Sequence, residues 1–158
     1  MNRRLMLGIV AAALASTAPT TFAQDMKSVA GAYAPVTVPA FGEQPRGQMI
    51  LTQDGRYSIV LSRAEMPKIA SGTRTDATPE ENKMVVNGSI AHTGRYSVDD
   101  GGQSITFYVE TSTFPNWNGT TQKRPLSLNG EMLGYRVMAP SAGGGPNETL
   151  WKRIGSKL

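Results

Sequence analysis

Residues Gly47 to Arg63 read Gly-Gln-Met-Ile-Leu-Thr-Gln-Asp-Gly-Arg-Tyr-Ser-Ile-Val-Leu-Ser-Arg. Asp54-Gly55 divides this stretch into two runs, and in the second Tyr57, Ile59 and Leu61 recur at every other position. A side-chain period of two is that of a strand with one buried face. Asp-Gly between two such runs supplies the left-handed backbone of a tight hairpin. The stretch therefore predicts two antiparallel strands joined by a short turn.

The same arrangement recurs downstream. Gly94–Val98 and Gln103–Thr111 flank Asp99-Asp100-Gly101-Gly102, Gln122–Leu128 and Leu133–Met138 flank Asn129-Gly130, and Thr149–Ile154 supplies a last strand. Several short strands separated by turn residues predict an all-β, antiparallel barrel or sandwich. One segment departs from this period. Thr78-Pro79-Glu80-Glu81 combines a capping hydroxyl, proline at the first helical position and a carboxylate three residues after the cap. It predicts one short helix from Pro79 to about His92, ended by Gly94. Val85, Val86, Asn87 and Gly88 are poor helix formers, so this helix needs the sheet to lean on. Pro67–Thr78 is the loop leading in, and Ala139–Asn147 is a glycine-rich connection. Neither an internal repeat nor a second domain is visible.

Met1–Ala23 reads as a secretory leader. Arg3 and Arg4 precede an apolar run from Leu5 to Ala15, and Thr21-Phe22-Ala23 is a small-residue cleavage site. The run is shorter than the ~20 residues a membrane-spanning helix needs. The expected mature domain is residues 24–158, secreted or periplasmic, with no stable membrane insertion after cleavage. The 158-residue chain has 16 Lys and Arg against 12 Asp and Glu; without Arg3 and Arg4, 14 against 12 leaves +2. So small an excess argues against a nucleic-acid partner. The chain has no cysteine, which excludes disulfides, thiol catalysis and thiolate metal sites.

Several motifs follow one another in a familiar order. They are Gly31-Ala32-Tyr33, Thr52–Ser58, Thr78–Glu81, Gly94–Val98, Thr113-Phe114-Pro115-Asn116-Trp117, Gly119–Arg124 and Leu150-Trp151-Lys152-Arg153. Together they resemble the lipocalin-like domain family of bacteria and fungi, over roughly Ser28 to Ile154. The stretch from Phe114 to Arg124 is the most specific. The resemblance implies a closed antiparallel barrel around a cavity for a small hydrophobic molecule, without implying a reaction or a cofactor. Tyr33 stands where relatives usually carry tryptophan.

In a barrel, alternate residues face the lumen. Leu126 and Leu128 mark the even positions of their strand as inward, which carries Gln122 and Arg124 inside as well. A buried guanidinium is costly unless it is paired. On the strand from Gln103, Thr106, Tyr108 and Glu110 share one face, and Ile105, Phe107 and Val109 the other. Two assignments remain open. Either the aliphatic set fills the lumen and Glu110 is a solvated charge, or the polar set lines a cavity. The need of Arg124 for an anion favours the second, with Glu110 as its partner. Candidate ligand contacts are thus Tyr57, Tyr96, Tyr108, Glu110, Trp117, Gln122 and Arg124. Trp117 either stacks on a ligand or anchors its loop, and anchoring is favoured.

Catalytic signals are sparse. His92, the only histidine, is expected to cap the helix C-terminus. Neither a Gly-x-Ser-x-Gly elbow nor a histidine–cysteine ligand set is present, so hydrolase and zinc chemistry are not expected. Met49, Met66, Met84, Met132 and Met138 lack the spacing of a copper site and are expected to pack the lumen. The leading function is binding of a small hydrophobic molecule, with no metal or cofactor. The alternatives are a cofactor-independent isomerase or cyclase using Glu110 and Arg124, and a protein-interaction module with a filled barrel.

Overall fold

The computed structural model describes residues 26–155; the expected leader, Met1–Ala23, lies outside them. Eight strands form a closed antiparallel barrel in simple sequence order. They are β1 (Gly31–Thr37), β2 (Arg46–Leu51), β3 (Arg56–Ser62), β4 (Ser89–Val98), β5 (Ser104–Ser112), β6 (Thr121–Asn129), β7 (Met132–Val137) and β8 (Asn147–Ile154). β1 closes the barrel on β8 with Ala32 opposite Ile154 and Tyr33 opposite Arg153. A single helical turn, α1 (Met26–Val29), precedes β1, and α2 (Pro79–Gly88) lies between β3 and β4.

The tight turns all fall at one end. The β2–β3, β4–β5 and β6–β7 connections sit there with α1 and the end of β8, and this end is sealed. The phenol of Tyr33 donates to the Val29 carbonyl at 2.6 Å, and that of Tyr96 to the Thr52 carbonyl at 2.7 Å. Arg153 donates to the carbonyls of Ala30 and Ser28 and stacks over the Tyr33 ring at 4.7 Å. Gly31 allows this seal, because a Cβ there would come within 2.0 Å of Arg153 Nη1.

The other end carries the long connections: residues 38–45, 63–88, 113–120 and 138–146. Here α2 begins on a complete capping box, in which the Glu81 amide donates to Thr78 Oγ1 and the Glu81 carboxylate accepts from the Thr78 amide. The helix stops earlier than expected. Ser89 is extended (φ −148°, ψ 155°) and pairs with Ser62, so Gly88 and not Gly94 is the helix end. Gly94 lies inside β4 at a bulge, where a Cβ would meet the Tyr108 carbonyl oxygen at 2.1 Å. His92 consequently belongs to a strand and faces the lumen; the capping role expected for it is overturned.

The core is the barrel interior. Trp151, Tyr33, Phe107, Met49, Leu51, Ile59, Ile105 and Leu133 are fully enclosed there. Of the methionines expected to pack it, Met49 does so, whereas Met84 and Met138 are exposed. Met84 is on α2 and Met138 is in the β7–β8 connection, both outside the wall, where no lumen is available to fill.

Candidate functional site

The stretch from Phe114 to Arg124 builds the mouth half of the lumen. Phe114 leads into a 3-10 turn, Pro115–Trp117, which carries Trp117 to the barrel rim. The Asn118 side chain accepts from the Ser112 amide at 2.7 Å, tying the turn to the end of β5. Trp117 then stands edge-on to His92, 5.3 Å between ring centres, and to Phe114 at 5.8 Å. It both anchors its loop and lines the inner cavity.

Beyond the turn, Thr120, Gln122 and Arg124 alternate, so their side chains share a face. A relay runs along that face. Thr120 Oγ1 donates to the Trp117 carbonyl at 2.7 Å and accepts from Gln122 Nε2 at 3.4 Å, which turns Gln122 Oε1 toward Arg124 Nη2. The spacing Gly-Thr followed by Gln-x-Arg is therefore a device for fixing one guanidinium. Arg124 is 6% exposed and lies against the faces of Phe107 and Tyr135, at 5.4 and 5.0 Å. A cation over aromatic faces is attracted by the ring quadrupole.

The expected pairing of Arg124 with Glu110 does not form. Arg124 is opposite Ile105 and Gln122 is opposite Phe107 across β5–β6. Cross-strand partners share a face, so Ile105, Phe107 and Val109 face inward and the polar set faces out. Glu110 instead pairs with Arg56 on the outer wall at 2.9 Å, both half-exposed. Tyr108 is also outside, against Ser97. Tyr57, Trp117, Gln122 and Arg124 converge at the middle and mouth of the lumen, while Tyr96 is inward but belongs to the sealed base.

His92, set aside in the sequence as a cap, is a central member of this group. Its Nδ1 lies 3.0 Å from the Tyr57 hydroxyl, and the two form a buried hydrogen-bonded pair. Burial, reinforced by the Arg124 charge, pushes the imidazole down to about 3, so it is neutral at physiological pH. Burial likewise raises the Tyr57 phenol above its ordinary value, against a smaller opposing pull from Arg124. The signal that could have located His92 is the alternation Ile90, His92, Gly94, Tyr96, which is inward-facing throughout. Among the described residues no group of three or more His, Cys, Asp or Glu could hold a metal ion.

The mouth is a funnel. An outer vestibule of about 580 Å³ lies between α2, the β1–β2 loop and the two remaining rim loops; Phe41, Val85, Val86 and Phe114 line it. It shares Ala40, Phe41, Ile90 and Ser141 with an inner cavity of about 50 Å³, whose walls include His92, Trp117, Arg124, Tyr135 and Thr149. The vestibule is mixed, with Arg63, Asn87 and Ser89 beside those apolar side chains, whereas the inner cavity is mostly apolar and carries Arg124 and His92 in its wall.

A lipocalin-like domain model matches residues 26–154, the whole barrel from α1 to the end of β8. The 4'-hydroxy-3'-methoxypropiophenone carrier protein of Aspergillus oryzae is 32% identical to this chain over 89 residues, covering 52% of this chain and 80% of the fungal protein. With eight antiparallel strands closed around an inward-facing site and the family match running over the entire barrel, the chain belongs to the lipocalin-like domain family.

Proposed function

We propose that this protein is an extracytoplasmic carrier that takes up a small, mostly apolar molecule through the barrel mouth. The observation that carries this reading is the funnel itself: a vestibule of about 580 Å³ falls within the ~300–1,000 Å³ typical of small-molecule sites. Its apolar side chains, Phe41, Val85, Val86 and Phe114, supply affinity by burial, at ~25 cal/mol per Å² before the costs of association, and the polar groups in and beneath it orient the guest. The name of the Aspergillus oryzae relative, a carrier of an aryl ketone, supports a guest of that size and class. The leader-like reading of Met1–Ala23 supports export. Of the acid–base groups open to the isomerase alternative, a glutamate or a tyrosine, Glu110 is outside the lumen and paired with Arg56.

Trp117 provides the readout. Titration with 4'-hydroxy-3'-methoxypropiophenone, and with a panel of other aryl ketones and short-chain alkylbenzenes, is expected to quench its fluorescence saturably with one site per chain. Trp117→Phe, which leaves only Trp151, should lose most of that signal. Absence of saturable binding across the panel would overturn the carrier reading. For export, the full chain expressed with its own N-terminus should yield a mature species beginning at Gln24 outside the cytoplasm; an uncleaved cytoplasmic product overturns that part.

A further inference from the structure

Arg124 is a buried cation without a buried anion. Its side-chain hydrogen bond goes to the neutral amide of Gln122, and its two closest planes are aromatic. Among the described residues the ion pair formed is Arg56–Glu110, on the outer wall. His92 and Tyr57, two titratable groups that feel the Arg124 charge, are both uncharged at neutral pH. Desolvating a guanidinium without a counter-charge is expensive. The relay from Trp117 through Thr120 and Gln122 nonetheless holds Arg124 in place at the wall of the inner cavity.

The two volumes restrict what can complete this site. The inner cavity of about 50 Å³ is narrow and mostly apolar around Arg124, whereas the vestibule above is roomy and carries both apolar and polar side chains, Arg63 among them. A guest lying tail-inward would bury its apolar end against Arg124 and leave that cation desolvated without a counter-charge. The favourable orientation is the reverse.

We infer that the guest is a small amphiphilic carboxylate, bound head-first with its carboxylate on Arg124 and its apolar body in the vestibule. A carboxylate matches the guanidinium fork in two parallel N–H···O bonds. It supplies the missing negative charge. The inference rests on the carrier reading and narrows its ligand class.

The test uses 4-butylbenzoate and 4-butylbenzamide, which share a shape and differ in charge, measured by calorimetric titration at pH 7. The acid is expected to bind at least about tenfold more tightly than the amide. That preference should vanish in Arg124→Gln and in Arg124→Met. The ligand-free Arg124→Met protein should melt at or above the wild-type temperature, because an unpaired charge is replaced by a side chain of similar length. Equal affinity for acid and amide in the wild type overturns the carboxylate inference and leaves the carrier reading standing. A preference for the acid that persists without Arg124 also overturns it. Binding of neither compound overturns it as well, and the carrier reading is then decided by the aryl-ketone titration alone. The wild-type comparison needs no variant to fold.

Discussion

At the base of the barrel Arg153 is 7% exposed and stacked on Tyr33; toward the mouth Arg124 is 6% exposed and stacked on Tyr135. The two differ in what accepts their protons. Arg153 donates to the main-chain carbonyls of Ala30 and Ser28, oxygens that the end of α1 leaves over, and only its Nε is buried without a partner. Arg124 donates to a side-chain amide and borders a cavity. One arginine is a cross-link that closes the barrel; the other borders the cavity, and on the inference above its partner is a guest. Burial and residue type leave the two cations alike, and their acceptors differ.

The contrast is most directly broken at the base. Arg153→Leu removes the donor to the Ala30 and Ser28 carbonyls and unpins α1, and should cost ~3–5 kcal/mol in denaturant unfolding. If it costs no more than Arg124→Met, the two arginines are equivalent and the distinction fails.

His92 sharpens the picture of the mouth as a site kept free of a second charge. Its folded-state value, near 3, is below the ordinary 6.5. Between those limits the unfolded chain binds a proton that the native state does not, so stability is complete above about pH 6.5 and is lost as the pH falls toward 3. The slope approaches about 1.4 kcal/mol per pH unit. Chemical unfolding of the wild type and of His92→Phe at pH 6, 5 and 4.5 should show the wild type losing about 2 kcal/mol more than the variant across that window. Parallel pH profiles would place the imidazole in water. The carboxylates held below their ordinary range by hydrogen bonds, Asp54, Glu81 and Asp99, act at lower pH.

A smaller effect is expected at the roof of the vestibule. Thr78→Ala removes the acceptor of the α2 capping box and should cost about 1 kcal/mol. Because α2 covers the mouth and not the core, hydrogen exchange should quicken in residues 79–88 and stay unchanged in α1 and the base turns. Uniform acceleration would mean that the two ends are not independent. The smallest effect belongs to the outer wall. Glu110→Gln should cost under about 1 kcal/mol, as exposed ion pairs do. In a double-mutant cycle with Arg124→Leu the two effects should add to within about 0.5 kcal/mol.

Much of this was legible in residue order alone. The hairpin turns at Asp54-Gly55, Asp99–Gly102 and Asn129-Gly130 lie where the sequence places them, and the inward faces of β3 and β6 follow from Tyr57, Ile59, Leu61 and from Leu126, Leu128. β1 was not read by alternation, because Pro35 cannot donate to a ladder; the structure tolerates it next to an irregularity between Pro35 and Thr37. The first half of β4 was absorbed into the helix because Gly88 and Gly94 are both acceptable stops, and the choice is made by Ser89 pairing with Ser62 across the sheet.

The sequence by itself determined the local facts: period, turn position, the helix start at Thr78, and the lumen side of Gln122 and Arg124. Each depends on the geometry of a few neighbouring residues. Only the tertiary structure decided that Ile105 stands opposite Arg124, that Glu110 reaches Arg56 across the outer wall, and that His92 meets Tyr57. Those outcomes depend on the register between strands, and a shift of one residue would exchange inside for outside. Register is settled by the closure of all eight strands at once, which no single segment encodes.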